Sequence, residues 1–472
     1  MVQVPRTVVD VLERRFTGLL AVSAIGVYVL VLVGTTTSLF DAGSSCSGWP
    51  TCNGGLLPGG EPMAILAWGH RLVGLLVGLV LIATVVASWY HGSKRVKMAV
   101  IGAALLYPIQ TVLGAVLALQ GGSSALSIVH LLIAMTIFSG VLIGLLWRLE
   151  EETVEPTTTP STPTVHTPDP VPPDRPYSTN REPSTKTVLW AYFSLTKPRL
   201  WWLLSLVAVA AMALAAGPSL SMGTVVATIT GGVLAIASSG TFNQVLERER
   251  DAAMDRTNDR PLVDGTISPR SATLFGFVLA AVSTLIFLRY VNALAAGLGL
   301  LAILFYSVVY TLVLKPRTDQ NVVIGGAVGA FPALIGWAAV TDTIGVPAIV
   351  LGAVIFLWTP AHFYNLAILY KEDYANAGVP MLSVSRGDAL TRRHILLYLG
   401  ATMTAVVALG FVRQLSWGYV LAAVGFGSIF LWTALRLFEE RSDRAAWRNF
   451  HASNAYLGVL LLAIVVDSMV FA

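Results

Sequence analysis

Windows of about 20 mostly apolar residues, the length that carries an α-helix across the hydrocarbon core of a bilayer, recur along this chain of 472 residues. Before residue 150 they fall at 17–39, 64–90, 98–119 and 124–147. A second series lies near 200–216, 222–242, 271–288, 293–314, 322–340, 346–368, 395–412, 417–437 and 453–471. The expected fold is therefore all-α, a polytopic membrane protein of about thirteen transmembrane helices. Composition agrees, with 55% hydrophobic and 12% charged residues where a soluble domain carries roughly 25% charged. The net charge of +4 in so apolar a chain points to basic loops on the cytoplasmic side, not to an acidic partner, and no nucleic-acid partner is expected.

Those basic residues predict the topology. Arg6, Arg14 and Arg15 precede the first span and Lys94, Arg95 and Lys97 separate the second from the third, which puts the N-terminus inside. The loop with Arg248, Arg250, Arg256, Arg260 and Arg270 is then cytoplasmic, whereas the external turns hold little more than Arg289 and Arg413. The first apolar stretch is too long for a signal h-region and is read as a permanent helix.

Between the two series, residues 151–186 hold nine Pro and nine Thr among 36 positions. Such a segment has little to bury and reads as a tether, so 1–150 and 187–472 are taken as separate membrane domains. His166, inside the tether, is expected to be solvated.

Charge at the end of an apolar span is costly and marks a candidate site. In TFNQVLERERDAAMDRTNDRPL, from Thr241, the residues Asn243, Glu247, Asp251 and Asp255 stand at successive i+4 positions along one helical stripe. Stacked like charges repel, and a divalent cation such as Mg²⁺, held by a few carboxylates and by substrate phosphates, would relieve them. Arg256 and Arg260 follow, suited to gripping a diphosphate. An ordinary ion-paired helix end would read similarly. A second cluster, FLWTPAHFYNLAILYKEDYANAGVPML, places His362 and Asn365 within a span and Lys371, Glu372 and Asp373 at its end, on the same side of the membrane as the first motif. Lys197 and Arg199 in LTKPRL and Lys315 and Arg317 in LKPRTDQN reach that side too. Acid for metal and base for phosphate at a membrane surface suit a prenyl diphosphate whose tail enters the interior.

These motifs carry a resemblance. Over essentially all of 187–472 the chain resembles the UbiA-type intramembrane prenyltransferases and, within them, the heme O synthases. The match rests on KPR at 197–199, N-x3-E-x3-D with MDRTNDRPL, KPRT-x2-N at 315–321, AFPALIGW at 330–337, and PAHFY through KEDYANAGVPML. The family usually has Asp where this chain has Glu247, which keeps the carboxylate and lengthens its reach. The resemblance implies a nine-helix bundle using Mg²⁺ and farnesyl diphosphate, in which ionisation leaves an allylic cation that a vinyl group of heme b captures. It implies Asn243, Glu247, Asp251 and Asp373 as catalytic or metal-binding, with Asp255 as a lesser metal ligand. Lys197, Arg199, Arg256, Arg260, Lys315 and Lys371 are implied to bind diphosphate. His362 is a candidate for the heme side or a hydrogen-bonded packing residue. A quinone precursor or lipid as acceptor, or a non-catalytic heme-handling factor, are the competing readings.

Cys46 and Cys52, the only cysteines, lie in the predicted external loop, where a disulfide is expected and metal binding is the lesser alternative. His70 and His130 stand at matching depth near the external ends of two spans, which invites a bis-histidine heme site, although such histidines more often only pack. The pieces GTTTSLFDAGSSCSGWPTCNG at 34–54, HRLVG at 70–74 and QTVLGAVLALQ resemble the N-terminal half of the heme A synthases. That family usually carries a glutamate where Ala67 stands, and its second half is absent here. Heme binding, or passing heme O to a heme A synthase or to oxidase assembly proteins, is expected in place of heme A synthesis.

Overall fold

The computed structural model describes residues 6–46, 48–55, 57–120, 124–152 and 184–470. Most of the expected tether, including His166, lies outside them. Among the described residues thirteen helices are long and apolar enough to cross a membrane, four before the tether and nine after it.

The chain divides into two compact units, Met1–Pro156 with Val406–Leu431, and Thr157–Ala405 with Trp432–Ala472. The first therefore takes in a helical hairpin that the sequence boundaries assign to the second domain. Its helices α1 (Arg6–Leu39), α2 (Pro62–His91), α3 (Lys94–Gln120) and α4 (Ser124–Glu152) form a bundle in which each packs on the next and α4 returns to α1. The hairpin joins it where Tyr28 Oη donates to the Ala423 carbonyl. Cys46 and Cys52 form a disulfide in the α1–α2 loop. Arg71 holds that loop by donating to the carbonyls of Cys46, Gly48 and Thr51.

The second unit opens with α5 (Thr185–Leu195), a 3-10 turn (Pro198–Leu200), α6 (Trp201–Ala216), α7 (Met222–Leu246) and α8 (Arg248–Ala252). Next come α9 (Pro269–Tyr290) and α10 (Ala293–Leu304), which continues as a π-helical stretch (Phe305–Leu314) into α11 (Lys315–Arg317). Further along are α12 (Asn321–Gly325), α13 (Ala327–Thr341), α14 (Val346–Leu369), α15 (Lys371–Asn376) and α16 (Leu382–Ser385). The chain ends with α17 (Asp388–Arg413), α18 (Trp417–Glu440) and α19 (Asp443–Val470).

Local chemistry sets these starts. Ser268 caps α9 by accepting from the Ser271 N–H, with Pro269 in the first turn, where a missing N–H costs nothing. Asn292 caps α10 from the Ala295 N–H and ties it to α13 by donating to the Ala338 carbonyl. Small residues let backbones meet, as is usual between membrane helices: a Cβ on Gly336 of α13 would come within 2.3 Å of the Ala208 carbonyl oxygen of α6.

Candidate active site

The end of α7 carries the acidic stripe into the second unit's polar cluster. Asn243 and Glu247 are buried there, and Asp251 follows on α8, also buried. The i+4 spacing survives the break in the helix because the Glu247 N–H still reaches the Asn243 carbonyl and the Asp251 N–H the Glu247 carbonyl, at 2.9 and 2.8 Å. Three cations meet these three side chains. Lys197 Nζ donates to Asn243 Oδ1, Lys315 Nζ lies 2.6 Å from Glu247 Oε2, and Arg260 Nη1 lies 2.6 Å from Asp251 Oδ2.

Burial pushes the Glu247 carboxyl up, but the charges of Lys315 and Lys197 outweigh it and hold the group below its usual range. For Asp251 burial prevails over Arg260, and the carboxyl is raised. Lys197 is brought down to about 7, by burial first and by the nearby positive charge of Arg260 next. It is placed by a left-handed backbone (φ 51°) just ahead of Pro198, a conformation uncommon outside glycine that clusters at functional sites. Its stem crosses α7 at Gly240, where a Cβ would come within 3.3 Å of Lys197 Cγ.

The other side chains expected at the site divide. Asp373 Oδ1 accepts from the Asp255 N–H at 3.1 Å, so the two acidic segments do meet. Arg256 lies over the Tyr370 ring, 4.2 Å from its centroid, and donates to Tyr374 Oη. Asp255 is exposed, with its backbone and not its carboxylate engaged by Asp373. Arg199 is exposed on the 3-10 turn, and Lys371 pairs with Asp388 at 3.1 Å. His362 hydrogen-bonds through Nδ1 to Ser453 Oγ at 2.7 Å, its ring stacked between Trp358 and Phe450, each 4.3 Å away. This is the packing environment foreseen as the alternative to a heme role.

Two participants were not singled out in the sequence, Tyr306 and Thr311, both in the π-helical stretch, a feature that often marks functional positions. Tyr306 Oη lies 3.3 Å from Lys197 Nζ. Thr311 Oγ1 donates to the Tyr306 carbonyl at 2.8 Å and accepts from Asn243 Nδ2 at 3.0 Å. A hydroxyl has a single proton to give, so this arrangement fixes the Asn243 amide with its oxygen toward Lys197. The available signal was a hydroxyl residue four positions before Lys315, in a span that also carries Tyr306, Ser307 and Tyr310.

Beneath the cluster an apolar cavity, about 770 Å³ of empty volume including its mouth, runs between α6, α7, α10 and α13. Tyr306 and Gly240 line it and both touch Lys197, so polar cluster and cavity are continuous. Among the described residues no three His, Cys, Asp or Glu side chains gather as a metal site. Glu247 Oε1, however, is buried without a hydrogen-bond partner. An orphaned carboxylate oxygen beside an amide oxygen and a second carboxylate fits Mg²⁺, which keeps waters and takes substrate phosphate oxygens as its remaining ligands.

In the first unit, His70 packs on Gly34 of α1 and His130 on Gly114 of α3. A Cβ on either glycine would lie 2.9 and 3.2 Å, respectively, from the imidazole Cε1. The Nδ1 atoms of both are buried without a partner.

A family model described as the UbiA prenyltransferase family matches residues 203–458. Protoheme IX farnesyltransferase of Haloarcula marismortui is 51% identical over 97% of this chain and 99% of its own length. Protoheme IX farnesyltransferase 1 of Natronomonas pharaonis is 52% identical over 96% and 98%. A shorter relative, protoheme IX farnesyltransferase 1 of Saccharopolyspora erythraea, is 47% identical over 62% of this chain and 95% of itself. Among solved structures, a digeranylgeranylglyceryl phosphate synthase has a similar fold, with TM-score 0.50 and 17% identity over 60% of this chain and 99% of that one.

Proposed function

The chain belongs to the UbiA prenyltransferase family, and on that footing we propose that it transfers farnesyl from farnesyl diphosphate to a vinyl group of protoheme IX, giving heme O and diphosphate. It is a multi-pass membrane protein. The observation that carries the reading is the continuity of the cationic and acidic cluster with the apolar cavity at Lys197 and Tyr306. A diphosphate head and a polyprenyl tail need these two environments joined end to end.

Lys197, Lys315 and Arg260 bind the diphosphate, exchanging their carboxylate and amide partners for phosphate oxygens. Asn243, Glu247 and Asp251, released from those contacts, would hold Mg²⁺, with Asp373 closing the second acidic segment over the head. The metal, when bound, supplies charge neutralisation for the departing diphosphate. The C1–O bond of farnesyl diphosphate breaks heterolytically and its electron pair leaves with the diphosphate, where the three cations stabilise the growing charge. The cavity wall keeps water from the allylic cation. The vinyl π electrons then form the new C–C bond, water adds to the resulting benzylic-type cation, and a proton is released, leaving a hydroxyethylfarnesyl substituent.

The reading puts the N-terminus and the acidic motifs on the cytoplasmic side. It also gives the first unit a heme-binding role through His70 and His130, whose buried, unpartnered Nδ1 atoms favour it, so that this unit would hold substrate or pass product toward a heme A synthase.

The test is product analysis by mass spectrometry after the full chain in liposomes is given heme b, farnesyl diphosphate and Mg²⁺. Hydroxyethylfarnesyl heme is the expected product. Its absence alongside prenylation of an aromatic quinone precursor would overturn the assignment.

A further inference from the structure

Gly232 stands in the middle of α7 with no structural need for a glycine. Its φ is not in the left-handed region, and a Cβ there would meet nothing within 4 Å. The neighbouring Gly231 is different, since a Cβ there would strike the Phe287 ring at 2.9 Å. Gly232 instead lines the apolar cavity, with Gly240, Ser239, Ile236 and Ala235 on the same helix. Glycine inside a helix costs about 1 kcal/mol relative to alanine, so open space at this position calls for an occupant.

Depth identifies the part of the substrate concerned. Gly240 marks the neck, touching Lys197, and the eight-residue step to Gly232 is about 12 Å at 1.5 Å per residue. A four-bond isoprene unit spans about 5 Å at roughly 1.5 Å per carbon–carbon bond. With C1 at the neck, the third unit of a polyprenyl chain lies beside Gly232. Thr228, Ala208 and Ile335 line the cavity as well. At Ala208 the backbones of α6 and α13 close, with the Ala208 carbonyl oxygen against Gly336.

We propose that Gly232 is a specificity-determining residue for prenyl chain length: its missing side chain makes the room for the third isoprene unit, so the site takes a fifteen-carbon chain in preference to a ten-carbon one. This rests on the prenyl-transfer reading above. A single methylene in an apolar pocket changes discrimination by about 10–200-fold. Gly232→Leu should therefore lower kcat/KM for farnesyl diphosphate by at least that order while sparing geranyl diphosphate, reversing the preference.

The experiment measures transfer to heme b from geranyl and farnesyl diphosphate by the full chain in liposomes, for the unmodified chain and for Gly232→Ala, Gly232→Leu and Gly297→Leu. Gly297 on α10 is exposed and a Cβ there also meets nothing within 4 Å, so Gly297→Leu should keep the original ratio. A graded fall in the farnesyl-to-geranyl ratio from Gly to Ala to Leu at 232 is the expected result. An unchanged ratio, or loss of both activities in Gly232→Ala and Gly232→Leu, overturns the proposal. Failure of the unmodified chain to prenylate heme with either donor refutes the underlying functional reading instead.

Discussion

Lys315 and Glu247, 68 residues apart in sequence, form an ion pair at 2.6 Å in which the side chains are only 12% and 3% exposed. Removing one member of a buried pair strands the other, at a cost of about 3–5 kcal/mol, whereas replacing both is often neutral. Lys315→Met and Glu247→Met should each lower thermal stability in detergent, Lys315→Met the more, because it leaves a buried carboxylate. The Lys315→Met/Glu247→Met double variant should recover much of that loss while remaining inactive. A double variant destabilised by the sum of the two single losses would show that the pair is not coupled.

Asp251 and Asp255 are four residues apart on the predicted stripe but differ in surroundings. Asp251 is buried against Arg260, whereas Asp255 is exposed and offers its backbone N–H to Asp373. Asp251→Asn should reduce turnover by at least about 100-fold, the scale of losing a transition-state electrostatic contact. Asp255→Asn should stay within about threefold. Turnover at saturating Mg²⁺, with membrane insertion checked by detergent extraction and gel filtration, decides the matter, and equal losses would contradict the division.

The thirteen spans were legible because crossing a bilayer demands only length and apolarity, both written locally in composition. The cluster of Asn243, Glu247 and Asp251 with Lys197, Lys315 and Arg260 was legible as well, since charge at a span end is costly enough to need a reason. What sequence could not supply was direction. Lys197 and Arg199 look equivalent in KPR, yet Lys197, held at its left-handed φ, is turned into the cluster and Arg199 lies exposed. His362 had two readings because Ser453 and Phe450, which surround it, are some ninety residues away in sequence. Thr311 went unmarked because the π-helical turn that aims it at Asn243 has no local signature.

Thr311 should act by orientation. Thr311→Val keeps shape but removes the hydroxyl that holds the Asn243 amide, leaving its oxygen free to turn away from Lys197. The Mg²⁺ concentration for half-maximal rate should rise by about tenfold, a loss on the order of one neutral hydrogen bond. Thr311→Ser should restore it. A fall in rate with an unchanged Mg²⁺ requirement would point to packing alone.

The first unit offers a spectroscopic test. Because Val406–Leu431 belongs to that unit and Ala423 receives the Tyr28 hydrogen bond, cutting the chain near residue 150 would remove part of its packing, so the full chain is the right material. Two neutral imidazoles can fill both axial positions of heme iron. Purified with heme b, the chain should show a low-spin spectrum that is lost in His70→Ala and in His130→Ala and retained in His362→Ala. Gly34→Ala provides an independent probe, since its Cβ would come within 2.9 Å of His70 Cε1 and must displace the ring. It should shift or weaken the low-spin signal without touching an iron ligand, while leaving prenyl transfer within about twofold. A low-spin signal that survives both histidine substitutions would place the heme elsewhere and reduce His70 and His130 to packing residues.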